Sequence, residues 1–106
     1  MDTKLRRHYE ARASILKALS HPTRLFLVDQ LCGCERCVCE LTEMVGHDIS
    51  TVSKHLSILK NAGIVAHEKR GTQVFYSLRI PCVLGFLSCA EKVLRTNVEE
   101  LAALAP

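Results

Sequence analysis

The stretch Ile49-Ser-Thr-Val-Ser-Lys-His-Leu-Ser-Ile-Leu-Lys-Asn-Ala-Gly63 decides how the rest of the sequence is interpreted. At the spacing of an α-helix, its apolar residues share one face and predict a core-facing stripe. This stripe consists of Ile49, Val52, Leu56 and Leu59. The opposite face is small, polar and cationic, and carries no acid: Ser50, Lys54, Ser57 and Asn61. Such a face can approach a phosphate backbone and reach base edges in a major groove, although an ordinary amphipathic surface helix has the same periodicity.

A β-hairpin is predicted directly after this helix, which ends near Gly63. Two runs of β-branched and aromatic residues flank Lys69-Arg70-Gly71-Thr72, so the chain should turn at Gly71. From residue 50 to residue 79 there are five Lys or Arg residues against one acid, Glu68. A polar-faced helix followed at once by a hairpin with a basic tip is typical of a winged helix-turn-helix.

Four more helices are predicted in the remainder of the chain. They cover residues 4–19, a segment beginning after a cap at Ser20, residues 37–46, and a final stretch after Pro81. The fold class is therefore mainly α with a small β-hairpin wing: four helices, the two strands of the wing and a fifth helix. All 106 residues should form a single winged helix-turn-helix domain, with its DNA-binding core over about 20–80.

The last helix carries more apolar surface than a domain of this size can bury alone. Its continuous stripe consists of Val83, Phe86, Leu87, Ala90, Val93, Leu94, Val98 and Leu101. The first helix adds a short apolar face behind a charged first half. Residues of about 4–19 and 82–104 are therefore expected to form a homodimer interface, and a two-fold protein matches operator DNA with an inverted repeat.

Charge and hydropathy narrow the classes of protein that fit the sequence. The net charge of +3 is mild, and the local basic excess over residues 50–79 says more about the partner. No run of about 18 apolar residues exists, and no apolar signal-peptide core follows the charged start. We therefore expect no membrane contact and a cytoplasmic location. In that reducing compartment, six cysteines indicate metal or redox chemistry sooner than structural disulfides.

Four of these cysteines form a cluster, Cys32-Gly-Cys34-Glu-Arg-Cys37-Val-Cys39. Clustered thiolates select thiophilic ions such as Zn, Cd, Cu(I) or trivalent arsenic, whereas a single cysteine is often only a small buried hydrophobe. In a regular helix Cys37 and Cys39 would point about 200° apart and could not hold one ion. They converge only if the first turn of the third helix is loose or unwinds, which would couple ion binding to the recognition helix.

The chain resembles the ArsR/SmtB family of bacterial metal-sensing repressors over roughly residues 10–95. The matching segments are His21-Pro-Thr-Arg-Leu25, Ser53-Lys-His-Leu56, Ala62-Gly-Ile-Val65, Gly71, Tyr76-Ser-Leu78 and Cys37-Val-Cys-Glu-Leu41, the last similar to the thiolate motif of that family. The resemblance implies a winged-helix repressor that dimerises through its first and last helices and leaves DNA when it binds metal.

The resemblance also bears on the ligands. Arsenite-responsive members of the family commonly carry a further cysteine three residues after the pair, where this chain has Thr42. Cys34 is the natural substitute as third ligand, with Cys32 next. Zinc-sensing relatives use Asp and His on the last helix, and residues 81–106 contain neither. Cys82 and Cys89 share a helix face but lie about 10.5 Å apart along its axis, so they cannot jointly hold one ion. They are secondary candidates, because either could reach the partner subunit or the Cys32–39 cluster, and packing at the dimer seam fits them equally well.

The DNA-contacting residues are expected on the recognition helix and the wing. They are Ser50, Thr51, Ser53, Lys54, His55, Ser57, Lys60, Lys69, Arg70 and Gln73. Among these, His55 flanks the core edge of the helix. The bases and phosphates of double-stranded operator DNA are thus the expected partner, read by a homodimer.

The function expected from these features is a transcriptional repressor released from its operator when thiolates bind arsenite or, as second choice, Cd, Pb or Zn. No organic cofactor is expected. One alternative is a redox or persulfide sensor that forms a disulfide between Cys34 and Cys37, or in a pair that includes Cys82. A thiol oxidoreductase is a remote alternative, since Cys34-Glu-Arg-Cys37 is formally C-x-x-C but lacks the βαβ context that gives this motif its meaning.

Overall fold

Five helices and three short strands follow one another along the chain, which a computed structural model describes from residue 1 to residue 106. The helices are α1 (Thr3–Leu19), α2 (Pro22–Gln30), α3 (Val38–Val45), α4 (Ile49–Asn61) and α5 (Val83–Ala103). The strands are β1 (Arg36–Cys37), β2 (Val65–Arg70) and β3 (Gln73–Leu78). The expected mainly α architecture with a hairpin wing is confirmed, and β1 is an element that the sequence pattern did not predict.

A layer of aliphatic side chains holds α2, α3, α4 and β2 together. Eight of them are almost fully buried: Leu27, Val28, Leu31, Leu41, Val52, Leu56, Leu59 and Val65. Each such side chain contributes about 1.5–3 kcal/mol when it leaves water. Because Val52, Leu56 and Leu59 lie on one face of α4, their burial fixes which face of α4 points away from the protein.

Ile49 does not belong to this core, although the helical periodicity placed it there. It is the first residue of α4 and its side chain is 59% exposed. The reason is positional: Ile49 is the first residue of α4 and stays exposed, so the buried part of the stripe begins at Val52. The predicted cap of the second helix is also wrong. The cap is His21, whose Nδ1 accepts from the Thr23 backbone N–H at 3.1 Å, while Ser20 ends α1.

The three strands form an antiparallel sheet in the order β1-β3-β2. In the hairpin, Glu68 lies opposite Phe75 and Arg70 opposite Gln73, so only Gly71 and Thr72 remain for the turn. Gly71 has φ +63°, a left-handed conformation that glycine adopts without a steric penalty. On the other edge of β3, Cys37 pairs with Phe75. The wing is therefore bonded directly to the cysteine-bearing segment.

The apolar stripe of α5 remains largely uncovered within one chain. Its first turns contribute Val83, Leu84 and Leu87 to the edge of the core, but no residue of α5 is fully buried. Phe86 is 50% exposed and Leu101 is 69% exposed. None of the helices combines the length and the hydrophobicity that crossing a membrane requires. An exposed stripe of this extent is typical of a protein–protein interface, so a second subunit remains the prediction for it.

We therefore expect Phe86→Glu to convert the protein to a monomer or to cause aggregation, because an unpaired charge in an apolar interface costs several kcal/mol. Sedimentation velocity measures the outcome. Ser88→Glu is the matched control, since Ser88 lies about 200° around α5 from Phe86 and is also exposed. A Phe86→Glu protein that sediments as a folded dimer would place the interface elsewhere.

Candidate nucleic-acid interface and cysteine site

The helix pair α3 and α4 presents the polar face of α4 to solvent. Gly46 ends α3 with φ +80°, and the turn through His47 and Asp48 leads into α4. The buried stripe of α4 faces inward, which leaves a set of predicted contact residues exposed on the outer face: Ser50, Lys54, Ser57 and Lys60. Thr51 and Ser53 are half-buried at the flanks of this face.

Asp48 is a feature at the start of α4 that the sequence pattern did not reveal. Its carboxylate accepts hydrogen bonds from the hydroxyls of Ser50 and Thr51, the second at 2.6 Å. These bonds, with that from Ser50 foremost, lower the pKa of Asp48 to about 2. The hydroxyls of Ser50 and Thr51 are therefore oriented by a carboxylate, although Asp48 makes no capping hydrogen bond to the backbone of α4.

His55 differs in environment from the other predicted contacts on α4. Its Nδ1 lies 3.2 Å from Nη1 of Arg24, and its ring centroid lies 4.4 Å from that of His21. Burial lowers the pKa of His55, and the nearby His21, Arg24 and His47 lower it further. Its side chain thus joins α4 to the start of α2, and its use as a DNA contact stays a prediction.

The two basic residues at the tip of the wing differ in their ion pairing. Lys69 is exposed and takes part in none of the ion pairs of the chain. Arg70 pairs with Glu35 and with Glu68, the latter at 2.8 Å. Hydrogen bonds to these carboxylates raise the pKa of Arg70, and the same contact lowers the pKa of Glu35. Gln73, at the start of β3, is exposed.

Cys37 and Cys39 are joined by a disulfide at the start of α3, with their Cα atoms 5.3 Å apart. The expectation that both belong to the helix is wrong, because Cys37 precedes α3 as its N-cap. The Glu40 N–H donates to Cys37 Sγ at 3.3 Å, and the Glu40 side chain accepts from the Cys37 N–H at 3.3 Å. The extended backbone of Cys37 brings the two sulfurs together, so they meet without unwinding the helix.

A groove of about 280 Å³ connects this cysteine pair to both elements that are predicted to contact DNA. Its walls come from the start of α3, the start of α4 and the tip of the wing: Cys37, Val38, Cys39, Ile49, Ser53, Thr72, Gln73 and Val74. The exposed Ile49 therefore forms one wall of this groove. The sequence predicted a link between Cys37 and Cys39 and the recognition helix only through the intervening backbone. The fold also places the tip of the wing beside these two cysteines.

The other four cysteines are exposed and unpaired. Cys34 Sγ lies 3.8 Å from the Gln30 carbonyl oxygen and borders a different groove, which Pro81 and Leu84 also line. No three His, Cys, Asp or Glu side chains are grouped as they would be around a metal ion. The roles of Cys34 and Cys32 as third ligands, and any role of Cys82 or Cys89, stay predictions.

A core-backed polar helix, a preceding helix and a basic hairpin together define a winged helix-turn-helix DNA-binding domain. Comparison with known proteins agrees with this class. Residues 21–67 match the model of the bacterial regulatory protein, arsR family. The chain is 33% identical over 97 residues to Rv0081, an uncharacterized HTH-type transcriptional regulator of Mycobacterium tuberculosis, covering 91% of this chain and 85% of the relative. The crystal structure of Rv0081 matches with a TM-score of 0.78, covering 89% of this chain and 95% of that one.

Two further relatives extend the comparison. The HTH-type transcriptional repressor SmtB of M. tuberculosis is 42% identical over 69 residues, which cover 65% of this chain and 51% of SmtB. The solution structure of Mb0332 from Mycobacterium bovis, described as a homodimeric winged helix-turn-helix DNA-binding domain, has a TM-score of 0.80 at 25% identity and covers 94% of this chain and 93% of that one. The chain belongs to the ArsR family. It is a DNA-binding transcriptional repressor and not an enzyme.

We expect Lys54→Ala to weaken operator binding and, if the ammonium contacts a phosphate, to reduce the salt slope of binding by about one unit. An operator fragment selected from a random pool and fluorescence anisotropy at several salt concentrations provide the measurement. Lys92→Ala on α5 is the control, because it removes the same charge from an exposed position outside the candidate interface. Equal binding by the two variants would remove Lys54 from the interface.

The environment of His55 makes the stability of the α2–α4 contact depend on pH. Because the pKa of His55 is lower in the folded chain than in the unfolded chain, the unfolded state binds more protons between the two values. The stabilisation that His55 contributes is fully present above about pH 6.5 and is lost as the pH falls through the pKa of His55 in the folded chain. Urea titrations at pH 7.5 and below 6 should show this loss, and His55→Gln should reduce it. If His67→Gln, a change on the exposed wing, reduces it equally, His55 is not its source.

Proposed function

We propose that this repressor binds operator DNA as a homodimer and releases it when the thiolates of Cys37 and Cys39 capture a soft metal or metalloid. Arsenite is the first choice of inducer, and Cd, Pb or Zn the second. The observation that carries the proposal is the groove in which this pair adjoins the start of α4 and the tip of the wing. A ligand held there alters the surroundings of both elements that are proposed to contact DNA.

Arsenite capture requires the reduced pair, so the Cys37–Cys39 disulfide must first accept two electrons and two protons from a thiol reductant. The chemistry of trivalent arsenic then suits these two neighbouring thiols. Each thiol displaces one hydroxyl of arsenous acid as water, forming an As–S bond and leaving two bonds to the protein and one hydroxyl on arsenic. A third thiol would displace that hydroxyl in the same way. Cys34 and Cys32 are the proposed sources, and their loop would have to bring one of them to the Cys37–Cys39 side.

The disulfide between Cys37 and Cys39 favours a second candidate, a redox-responsive repressor. Here the two thiols lose two protons and two electrons to an oxidant such as a peroxide or a low-molecular-weight disulfide. The pair differs from those expected from the sequence, which were Cys34 with Cys37 or a pair that includes Cys82. Both candidate functions use the same two neighbouring sulfurs. They must therefore be distinguished by the compound that releases DNA, because the residues involved are the same.

Two-fold symmetry supports the operator proposal. Dimerisation through α1 and α5 would present two copies of α4 to successive major-groove segments, so an inverted repeat with half-sites about one helical turn apart is expected. The homodimeric description of Mb0332 supports this arrangement for the present chain. The exposed stripe of α5 provides the apolar surface that such an interface requires.

We expect Cys37→Ser and Cys39→Ser to bind operator like the unmodified protein but to remain bound when arsenite or cadmium is added. A serine at position 37 retains the N-cap of α3, since a hydroxyl accepts from the N3 N–H as the sulfur does. Operator release is followed by anisotropy in metal-free reducing buffer during titration with each ion. Cys89→Ser serves as the control, because this thiol is exposed on α5, and it should respond nearly normally.

Repeating the anisotropy assay without reductant, with an oxidant in place of the ion, separates the two candidates. Release by oxidant alone, with no ion present and with reversal by a thiol reductant, would identify the redox repressor. If Cys37→Ser releases operator at the inducer concentration that suffices for the unmodified protein, the sensing site lies elsewhere. Cys82 and Cys89 would then be the next residues to test.

A further inference from the structure

A cluster of charged side chains connects the wing to the cysteine-rich loop. Arg70, the last residue of β2, donates through Nη1 to one carboxylate oxygen of Glu35 and through Nη2 to the other at 3.0 Å. The same Nη2 donates to Glu68 at 2.8 Å. The guanidinium also lies 4.7 Å from the centroid of the Phe75 ring. Glu35 is 35 positions away in sequence, in the loop between Cys34 and Cys37.

Glu35 binds the two terminal guanidinium nitrogens of Arg70, through which a DNA phosphate would also bind. A guanidinium binds carboxylate and phosphate in the same way, through two parallel N–H donors. With both terminal nitrogens bound to Glu35, the fork is already filled by an anion of the protein. Lys69 provides the contrast within the wing, because its ammonium has no anionic partner and neighbouring residues of a strand point to opposite faces.

The position of Glu35 is held by the backbone on its C-terminal side. Arg36 follows directly and pairs with Tyr76 in the sheet, and its Nε donates to the Gln30 carbonyl at 2.7 Å. Both anchors belong to the segment that leads into Cys37. A rearrangement of this segment would therefore move Glu35 relative to Arg70, and the hydrogen bonds that pair β2 with β3 do not involve it.

We propose that Glu35 is a positioning residue that competes with DNA phosphate for Arg70, so that the cysteine-rich loop acts as an inhibitory element of the wing. This inference rests on the proposed contact between the wing and DNA. All three charged partners are substantially exposed, and exposed ion pairs are weak. The expected effect is therefore a two- to fivefold change in affinity, of the order that such pairs produce.

The test measures binding to a short random-sequence duplex, since phosphate contacts do not depend on sequence. Glu35→Gln, Arg70→Ala and the double variant are titrated at several salt concentrations in metal-free reducing buffer. Glu43→Gln is the matched control, because Glu43 is an exposed carboxylate on α3 without an ion pair and its loss changes the net charge equally. Lys69→Ala reports independently whether the wing touches DNA.

Glu35→Gln should bind more tightly than Glu43→Gln and show a salt slope steeper by up to about one unit. Arg70→Ala should bind the duplex more weakly than the unmodified protein. In the double variant, Glu35→Gln should raise the affinity no more than Glu43→Gln raises it in the unmodified protein. A Glu35→Gln protein that binds no better than Glu43→Gln, or a gain that persists without Arg70, would overturn the inference. If Lys69→Ala and Arg70→Ala both leave affinity and salt slope unchanged, the wing contact itself fails.

Discussion

The burial of one face of α4 is the constraint on which the remaining structure depends. Val52, Leu56 and Leu59 have no exposed surface and meet the leucines of α2 and α3. Rotating α4 about its axis would expose these side chains and bury the lysine and serines of its other face, and both changes cost free energy. The hydrophobic core therefore fixes the direction of the side chains of α4 that are predicted to face DNA, although these side chains are not part of the core.

The second constraint is the short pairing of β1 with β3. Only Arg36 and Cys37 take part, yet this pairing places the cysteine segment on the edge of the wing, with the capping box of Cys37 and Glu40 following at once. This short segment thus joins the wing, through β1, to the helix-turn-helix, through the start of α3. Cys37 and Cys39 consequently lie where the start of α3, the start of α4 and the tip of the wing meet.

The periodicity of apolar residues was sufficient to predict α4, which buries a continuous face. Apolar patterning also predicted the hairpin and the general course of α1, α2 and α5, although the apolar faces of α1 and α5 remain largely exposed within one chain. It failed where position outweighs pattern. Ile49 matches the stripe but is the first residue of the helix, where its side chain borders an open groove and is 59% exposed. The strand β1 is too short to show an alternation, and its partner is almost forty residues away, so neither it nor the Glu35–Arg70 pair had a local signal. The convergence of Cys37 and Cys39 depends on the helix beginning after Cys37, and helix boundaries are the least certain part of a pattern.

On the proposed function, the close approach of the cysteine pair to both DNA-binding elements removes the need for a long-range pathway. A ligand that favours a rearranged loop over the DNA-bound arrangement weakens DNA binding by the ratio of its affinities for the two states. Couplings of about 1–3 kcal/mol, or about 5- to 150-fold, are typical. Because the coupling is reciprocal, operator DNA must weaken capture of the inducer by the same factor. The inducer would therefore bind first to repressor that is not on DNA. Two processes would then relieve repression: the loss of free repressor able to bind operator, and the release of repressor already bound to it.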